Sequence, residues 1–220
     1  QEFAEKGLAG ARIDEIAAAT RTSKRMIYYY FGSKEGLYTA VLEASYREMR
    51  THEAELDLEN LDPVPALRRL VEYTFDHHRK NEDYIRLVMG ENINRGQYLA
   101  QSPEIQALNV PAISAIESLY RRGVASGVFR PGLDPLDIHA TISALTFFNV
   151  SNRHTFGLIF KFDAASIDIP PRLYWSSASC SAAGIAWIAT VTGPGSKVSV
   201  IARRQWARGR SWTASMTSWG

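Results

Sequence analysis

From Thr20 to Lys34 the chain carries four cations (Arg21, Lys24, Arg25, Lys34), three consecutive tyrosines (Tyr28 to Tyr30) and no acid. Residues of these types suit one kind of chemistry, the recognition of a polyanion that also offers flat, patterned edges. An arginine can bond guanine O6 and N7 in a bidentate fashion, and methionine or tyrosine carbons can touch thymine methyls. An uncancelled positive field suits phosphates. Bond-making chemistry has no comparable signature. There is no G-x-S-x-G elbow, no glycine-rich phosphate loop and no cysteine–histidine pair in a plausible context. The carboxylates are scattered over polar helix faces, where solvation is the ordinary explanation. His77 and His78 are adjacent, about 100° apart on a helix, without the i, i+4 spacing that aims two imidazoles at one metal. The expectation is a protein that is not an enzyme and holds neither metal nor cofactor.

The basic stretch needs a scaffold, and its flanks supply one. Ile13, Ile16 and Ala17 fall at i, i+3, i+4, an apolar stripe on a short helix. Thr20-Arg21-Thr22 interrupts that period, and Ser23 offers a side-chain oxygen to the unpaired N–H groups of a new helix. The second helix runs from about Lys24 to Tyr30 and ends at Gly32, a residue that takes the left-handed conformation helix ends favour. Ser33 caps a third helix, with Glu35 in its first turn. At about 100° per residue, a core-facing Ile27 and Phe31 turn Arg25 and Tyr29 almost directly outward, flanked by Met26 and Tyr28. The alternative is a solvated, basic, amphipathic helix in an ordinary bundle, against which three adjacent tyrosines on so short a helix count.

The segment SKRMIYYYFGSKEGL resembles the helix-turn-helix of the TetR family of transcriptional regulators. The resemblance is specific over about residues 1–50 and looser to about Asp163. It implies an all-α fold: a three-helix DNA-binding head over 1–50 and a helical ligand-binding and dimerisation domain over 51–165. By the same resemblance Lys24, Arg25, Met26 and Tyr29 approach bases. Arg12, Ser23, Tyr28, Tyr30 and Lys34 contact phosphates. The family also implies a dozen or so further residues before Gln1, so the chain reads as N-terminally incomplete.

Past the head, the helical period recurs in residues 66–80, 84–94 and 103–123, and from Asp134-Pro135 through Phe160. The last stretch is apolar on more than one face and should be buried on several sides. These helices are expected to enclose a pocket, with His78, Tyr84, Met89, Asn92, Phe147, Asn149 and Asn152 as candidate lining residues. The implied partners are a pseudo-palindromic double-stranded DNA operator, a small-molecule effector and a second copy of the chain. The implied activity is that of a repressor released by its ligand. A helical ligand-binding or structural protein with a non-functional head is the alternative.

The 220 residues suffice for one large or two small domains. No run of about 18 apolar residues suggests a membrane span, and no signal peptide is evident. A single cysteine, Cys180, fits a reducing cytoplasm. Net charge is +2, but residues 1–168 hold 19 Lys+Arg against all 23 Asp+Glu, whereas 169–220 hold six Lys+Arg and no acid. That tail also contains all five tryptophans. The resemblance implies a final amphipathic helix after residue 165 that completes the dimer interface, and the tail does not read as one. Loss of acids with a surplus of Trp, Arg and Ser is what out-of-frame translation or a disordered end would give, and that is the favoured expectation. A β-hairpin of Ile185–Thr192 and Lys197–Ala202 about Gly-Pro-Gly-Ser is the structural alternative. A cationic tail with interleaved tryptophans would also suit non-specific nucleic-acid binding.

Overall fold

In a computed structural model of the chain, residues 1–161 are described, together with the backbone of 186–193 and 196–203. Nine α-helices occupy the first part: α1 (Glu2–Gly10), α2 (Ile13–Ala19), α3 (Lys24–Phe31), α4 (Lys34–Ala54), α5 (Pro63–Lys80), α6 (Glu82–Ile93), α7 (Pro103–Ala125), α8 (Pro135–Ser151) and α9 (Arg153–Phe160). The fold is all-α, with a helical N-terminal bundle followed by a helical C-terminal domain.

Punctuation read from residue types is where the helices start and stop. Proline opens α5, α7 and α8, at a position whose N–H would find no helical partner anyway. The Ser102 hydroxyl accepts from Ile105 N at 3.2 Å, and the Asp134 carboxylate from Leu136 N at 2.8 Å. Gly7 takes φ 66°, ψ 174° and breaks α1, leaving one further turn before Ala11.

Phe3, Ala4, Ala11, Ile13, Ala17 and Ile27 pack with Leu37, Tyr38 and Leu42 of α4. The same cluster takes in Leu87 of α6 and Ile105 of α7, so one apolar core runs from the first three helices into the body. Each large aliphatic or phenylalanine side chain among them contributes about 1.5–3 kcal/mol by leaving water. In the body α5 packs on α7 and α8, and Leu70, Val71, Phe75, Ile116, Leu119, Ile142 and Val150 on these helices are buried.

Two expectations need correcting. The stretch from Pro135 to Phe160 is not one helix: Asn152, at φ −108°, ψ 2°, separates α8 from α9. Its backbone N–H donates to Phe148 O and closes α8, while its own carbonyl accepts from the Thr155 hydroxyl in the first turn of α9. Phe31, expected to face the core beside Ile27, is 39% exposed. It is the last residue of an eight-residue helix, and the chain turns away at Gly32 before a neighbour can cover the ring.

The two segments expected as a hairpin pair antiparallel, β1 (Ala186–Gly193) with β2 (Ser196–Arg203), Gly193 opposite Ser196. The remaining tail expectations, out-of-frame sequence and nucleic-acid binding, fall on residues outside those described.

Candidate nucleic-acid interface

The turn between α2 and α3 is built from backbone hydrogen bonds. Arg21 N donates to Ala18 O at 3.2 Å and Thr22 N to Ala17 O at 2.9 Å. Arg21 closes it at φ 53°, a conformation that costs a side-chain-bearing residue about 1 kcal/mol. Ser23 Oγ accepts from Met26 N at 3.3 Å and sets the first turn of α3. At the other end Gly32, at φ 73°, donates its N–H to Tyr28 O at 2.9 Å. Ser33 Oγ then accepts from Gly36 N at 2.9 Å. A Cβ on Gly36 would stand 2.0 Å from Phe31 O, so only glycine lets α4 begin this close behind α3.

The helix so held has one buried side and one bare side. Ile27 is 4% exposed, whereas Tyr29 and Tyr30 are 77% and 67% exposed and Tyr28 and Met26 are exposed as well. The Tyr29 and Tyr30 rings meet edge to face at 5.2 Å. Arg25 is exposed and has no ion-pair or hydrogen-bond partner among the described residues.

The other candidate cations are already engaged. Lys24 Nζ forms an ion pair with Asp14 Oδ1, and Arg12 Nη2 lies 3.7 Å from Asp14 Oδ2. Lys34 Nζ donates to Ala9 O at 3.2 Å, tying α4 to the end of α1. An acid-free window in sequence is therefore not an acid-free surface: Asp14, six residues before Thr20, folds back onto it.

In the body, three of the seven candidate pocket residues come together. His78 is 3% exposed, its ring stacked on Tyr84 at 6.1 Å and met edge-on by Phe147 at 5.9 Å. Asn149 is half-buried with its amide on Leu145 O, and the half-buried Asn152 donates to Ser151 Oγ. Met89 is exposed, as is Asn92, whose amide donates to Val88 O.

The aromatic group is larger than sequence reasoning found. Tyr46 of α4 meets Tyr84 at 5.5 Å, and Tyr73 and His77 of α5 extend the row. Beside them Arg50 and Glu53 form an ion pair buried on both sides, and Arg50 Nε donates to Asn109 Oδ1 at 3.0 Å. The signal was there in the spacing: Tyr46, Arg50 and Glu53 fall at i, i+4, i+7, and Tyr73 and His77 at i, i+4.

Burial holds this cluster neutral apart from that pair. It pushes His78 down to about 4, aided by neighbouring His77, while the Thr146 backbone pulls the other way. His77 is lowered by burial too. Tyr73 is raised to about 12, and Tyr84 lies above the usual tyrosine range, both through burial first. Burial raises Glu53 despite Arg50. Among the described residues the buried Nδ1 atoms of His77 and His78 have no hydrogen-bond partner. An open cleft of about 440 Å³ is lined by Val41, Ser45, Glu48, His77, Tyr84 and Leu87 among others; of the seven candidate pocket residues it takes in Tyr84 and not His78 or Phe147.

Known proteins match this arrangement at both ends. Residues 1–41 match the description "Bacterial regulatory proteins, tetR family", and residues 63–169 match "Tetracyclin repressor-like, C-terminal domain". The HTH-type transcriptional repressor NicS of Pseudomonas putida is 34% identical over 163 residues, covering 74% of this chain and 77% of its own length. The chain belongs to the TetR family. As a TetR-family protein it is a sequence-specific DNA-binding transcriptional regulator. A second relative, the HTH-type transcriptional repressor SCO4008 of Streptomyces coelicolor, is 33% identical over 126 residues, 56% of this chain and 61% of its own. Among solved TetR-like structures, the putative regulator SCO4942 of Streptomyces coelicolor superposes with a TM-score of 0.54 at 32% identity. That match covers 71% of this chain and 78% of the other. Among the described residues no helix is long and apolar enough to cross a membrane.

Proposed function

We propose that this TetR-family regulator is a cytoplasmic repressor that leaves its operator when a small molecule binds the body. The observation that carries the reading is the outward face of α3. Arg25, unpaired among the described residues, and two largely bare tyrosines stand on a helix whose back is anchored by Ile27. On this reading residues 1–50 form the DNA-binding head, 51–165 the ligand-binding and dimerisation domain, and 166–220 an atypical tail.

Lys24, Arg25, Met26 and Tyr29 meet base edges in the major groove, while Arg12, Ser23, Tyr28, Tyr30 and Lys34 hold phosphates. Capping α3 leaves the Ser23 hydroxyl free to donate, and one bond to Ala9 O leaves the Lys34 ammonium two further protons. Two heads on a homodimer read half-sites roughly 34–36 Å apart. The exposed apolar residues of the last described helices, Leu136, Phe148, Leu158, Ile159 and Phe160, support a second copy as their cover. The repressive sign draws on the two relatives named as repressors.

For the effector site, His78, Tyr84 and Phe147 are the favoured contacts, because they share one aromatic cluster, of which Tyr84 lines the cleft. Met89, Asn92, Asn149 and Asn152 rank behind them. Release requires only that the effector bind better to the conformation whose head spacing misses the operator.

Fluorescence anisotropy with DNA from upstream of the chain's own gene tests this. Binding should be sequence-selective, should weaken steeply with salt, and should be reversed by a compound that also raises the Tm. Equal affinity for upstream and scrambled DNA would leave a helical ligand-binding protein with an inactive head.

A further inference from the structure

Among the described residues Asp14 is the one acid that forms ion pairs with the candidate DNA-binding cations, and it takes hold of two of them, Lys24 and Arg12. Its side chain is 44% exposed, so it stands at the surface that DNA would approach. We infer that Asp14 is a specificity-determining residue, which holds Lys24 and Arg12 back from phosphates outside the operator. This rests on the proposed interface, in which both cations meet DNA.

The argument is electrostatic. Non-specific affinity is almost wholly phosphate contact and counterion release, so each cation withheld from phosphate lowers it. An ammonium has three protons; bonded to Asp14, it keeps two for a base edge or phosphate that arrives in the right place. Operator binding can therefore proceed with the ion pair intact. A backbone that passes elsewhere must first pull Lys24 away. The local position of Asp14 strengthens the case, because the window from Thr20 to Lys34 supplies four cations and no acid of its own.

The test compares Asp14→Asn with the unchanged chain on upstream DNA and on scrambled duplex across a salt series. Asp14→Asn should bind scrambled duplex about two- to fivefold more tightly, the span of an exposed ion pair, with a salt slope steeper by about one. Operator affinity should rise less, so the specificity ratio falls, and Asp14→Glu should restore it. In a Lys24→Gln background the gain from Asp14→Asn should fall by more than half, which a through-space charge effect would not do. Unchanged non-specific affinity, or an equal gain on both DNAs, would overturn the proposal. If Lys24→Gln weakens binding while Asp14→Asn does nothing, the inference on Asp14 alone is lost. If Lys24→Gln and Arg12→Gln both leave binding unchanged, the interface on which it depends has gone with it.

Discussion

Tyrosine is used in two opposite ways in this chain. On α3 three consecutive tyrosines stand out in solvent, Tyr29 77% exposed. One helix later Tyr38 is 2% exposed, its ring edge-on to Phe3 and Tyr98, and further into the body Tyr84 is enclosed by Tyr46, His77 and His78. Burial drives the hydroxyls of Tyr38, Tyr46, Tyr73 and Tyr84 toward the protonated state, whereas the α3 tyrosines meet water. Residue type alone therefore says little. A buried ring is structural mass, whereas an exposed ring on a short, basic helix adds nothing to the core and is open to contact.

The largest effect that could break this contrast is on stability. Tyr38→Ala should cost about 3–5 kcal/mol, the range for emptying a buried aromatic site, read as a lower urea midpoint. Tyr29→Ala should stay within about 0.5 kcal/mol of the parent and lose DNA affinity instead. Comparable unfolding losses in the two variants would mean that the α3 face is packed against something.

Arg25→Ala should relax preference at one base position by about 1–3 kcal/mol, measured by competition among single-base operator variants. A loss spread evenly over all sequences would return Arg25 to the phosphates.

The buried side of the comparison predicts a pH dependence. Folded His78 accepts a proton only near pH 4, whereas its ordinary value is 6.5. Between these the unfolded chain binds more protons, so stability is complete above about pH 6.5 and drains away as pH falls toward 4. From pH 7 to 5 the loss from His78 alone should be about 2 kcal/mol, followed by urea unfolding at each pH. His77 and His139, also lowered by burial, add in the same direction, and Glu53, raised by burial, works against them. His78→Leu should flatten the slope, and an unchanged slope would place the titration elsewhere.

The smallest effect sharpens the exposed side. Lys34→Ala should weaken binding to every sequence about equally and reduce the salt slope by about one. A base-specific loss would show that Lys34 reads rather than anchors.

Much of the fold was legible because helix punctuation is local chemistry. Ser23, Gly32, Ser33, Pro103 and Asp134-Pro135 each act within a turn of where they stand, and the breaks fall there. The break at Asn152 was harder to see, since apolar periodicity continues on both sides and only Ser151 and Asn152 interrupt it. The front of α3 was legible from its 3.6-residue period. Phe31 departed from that period because its cover depends on a neighbour the helix does not reach.

What the amino-acid order determined on its own was therefore most of the helices, their caps, the outward face of α3 with Arg25 and Tyr29 on it, and the family. Each depends on residues within about four positions of one another. Tertiary structure alone decided that Asp14 sits on Lys24 and Arg12, and that Lys34 is tied to Ala9. It also decided that His78, Tyr84 and Phe147 gather with Tyr46 and Tyr73, from positions as far apart as 46 and 147. Those contacts join different helices, and their charge and burial depend on how the helices pack.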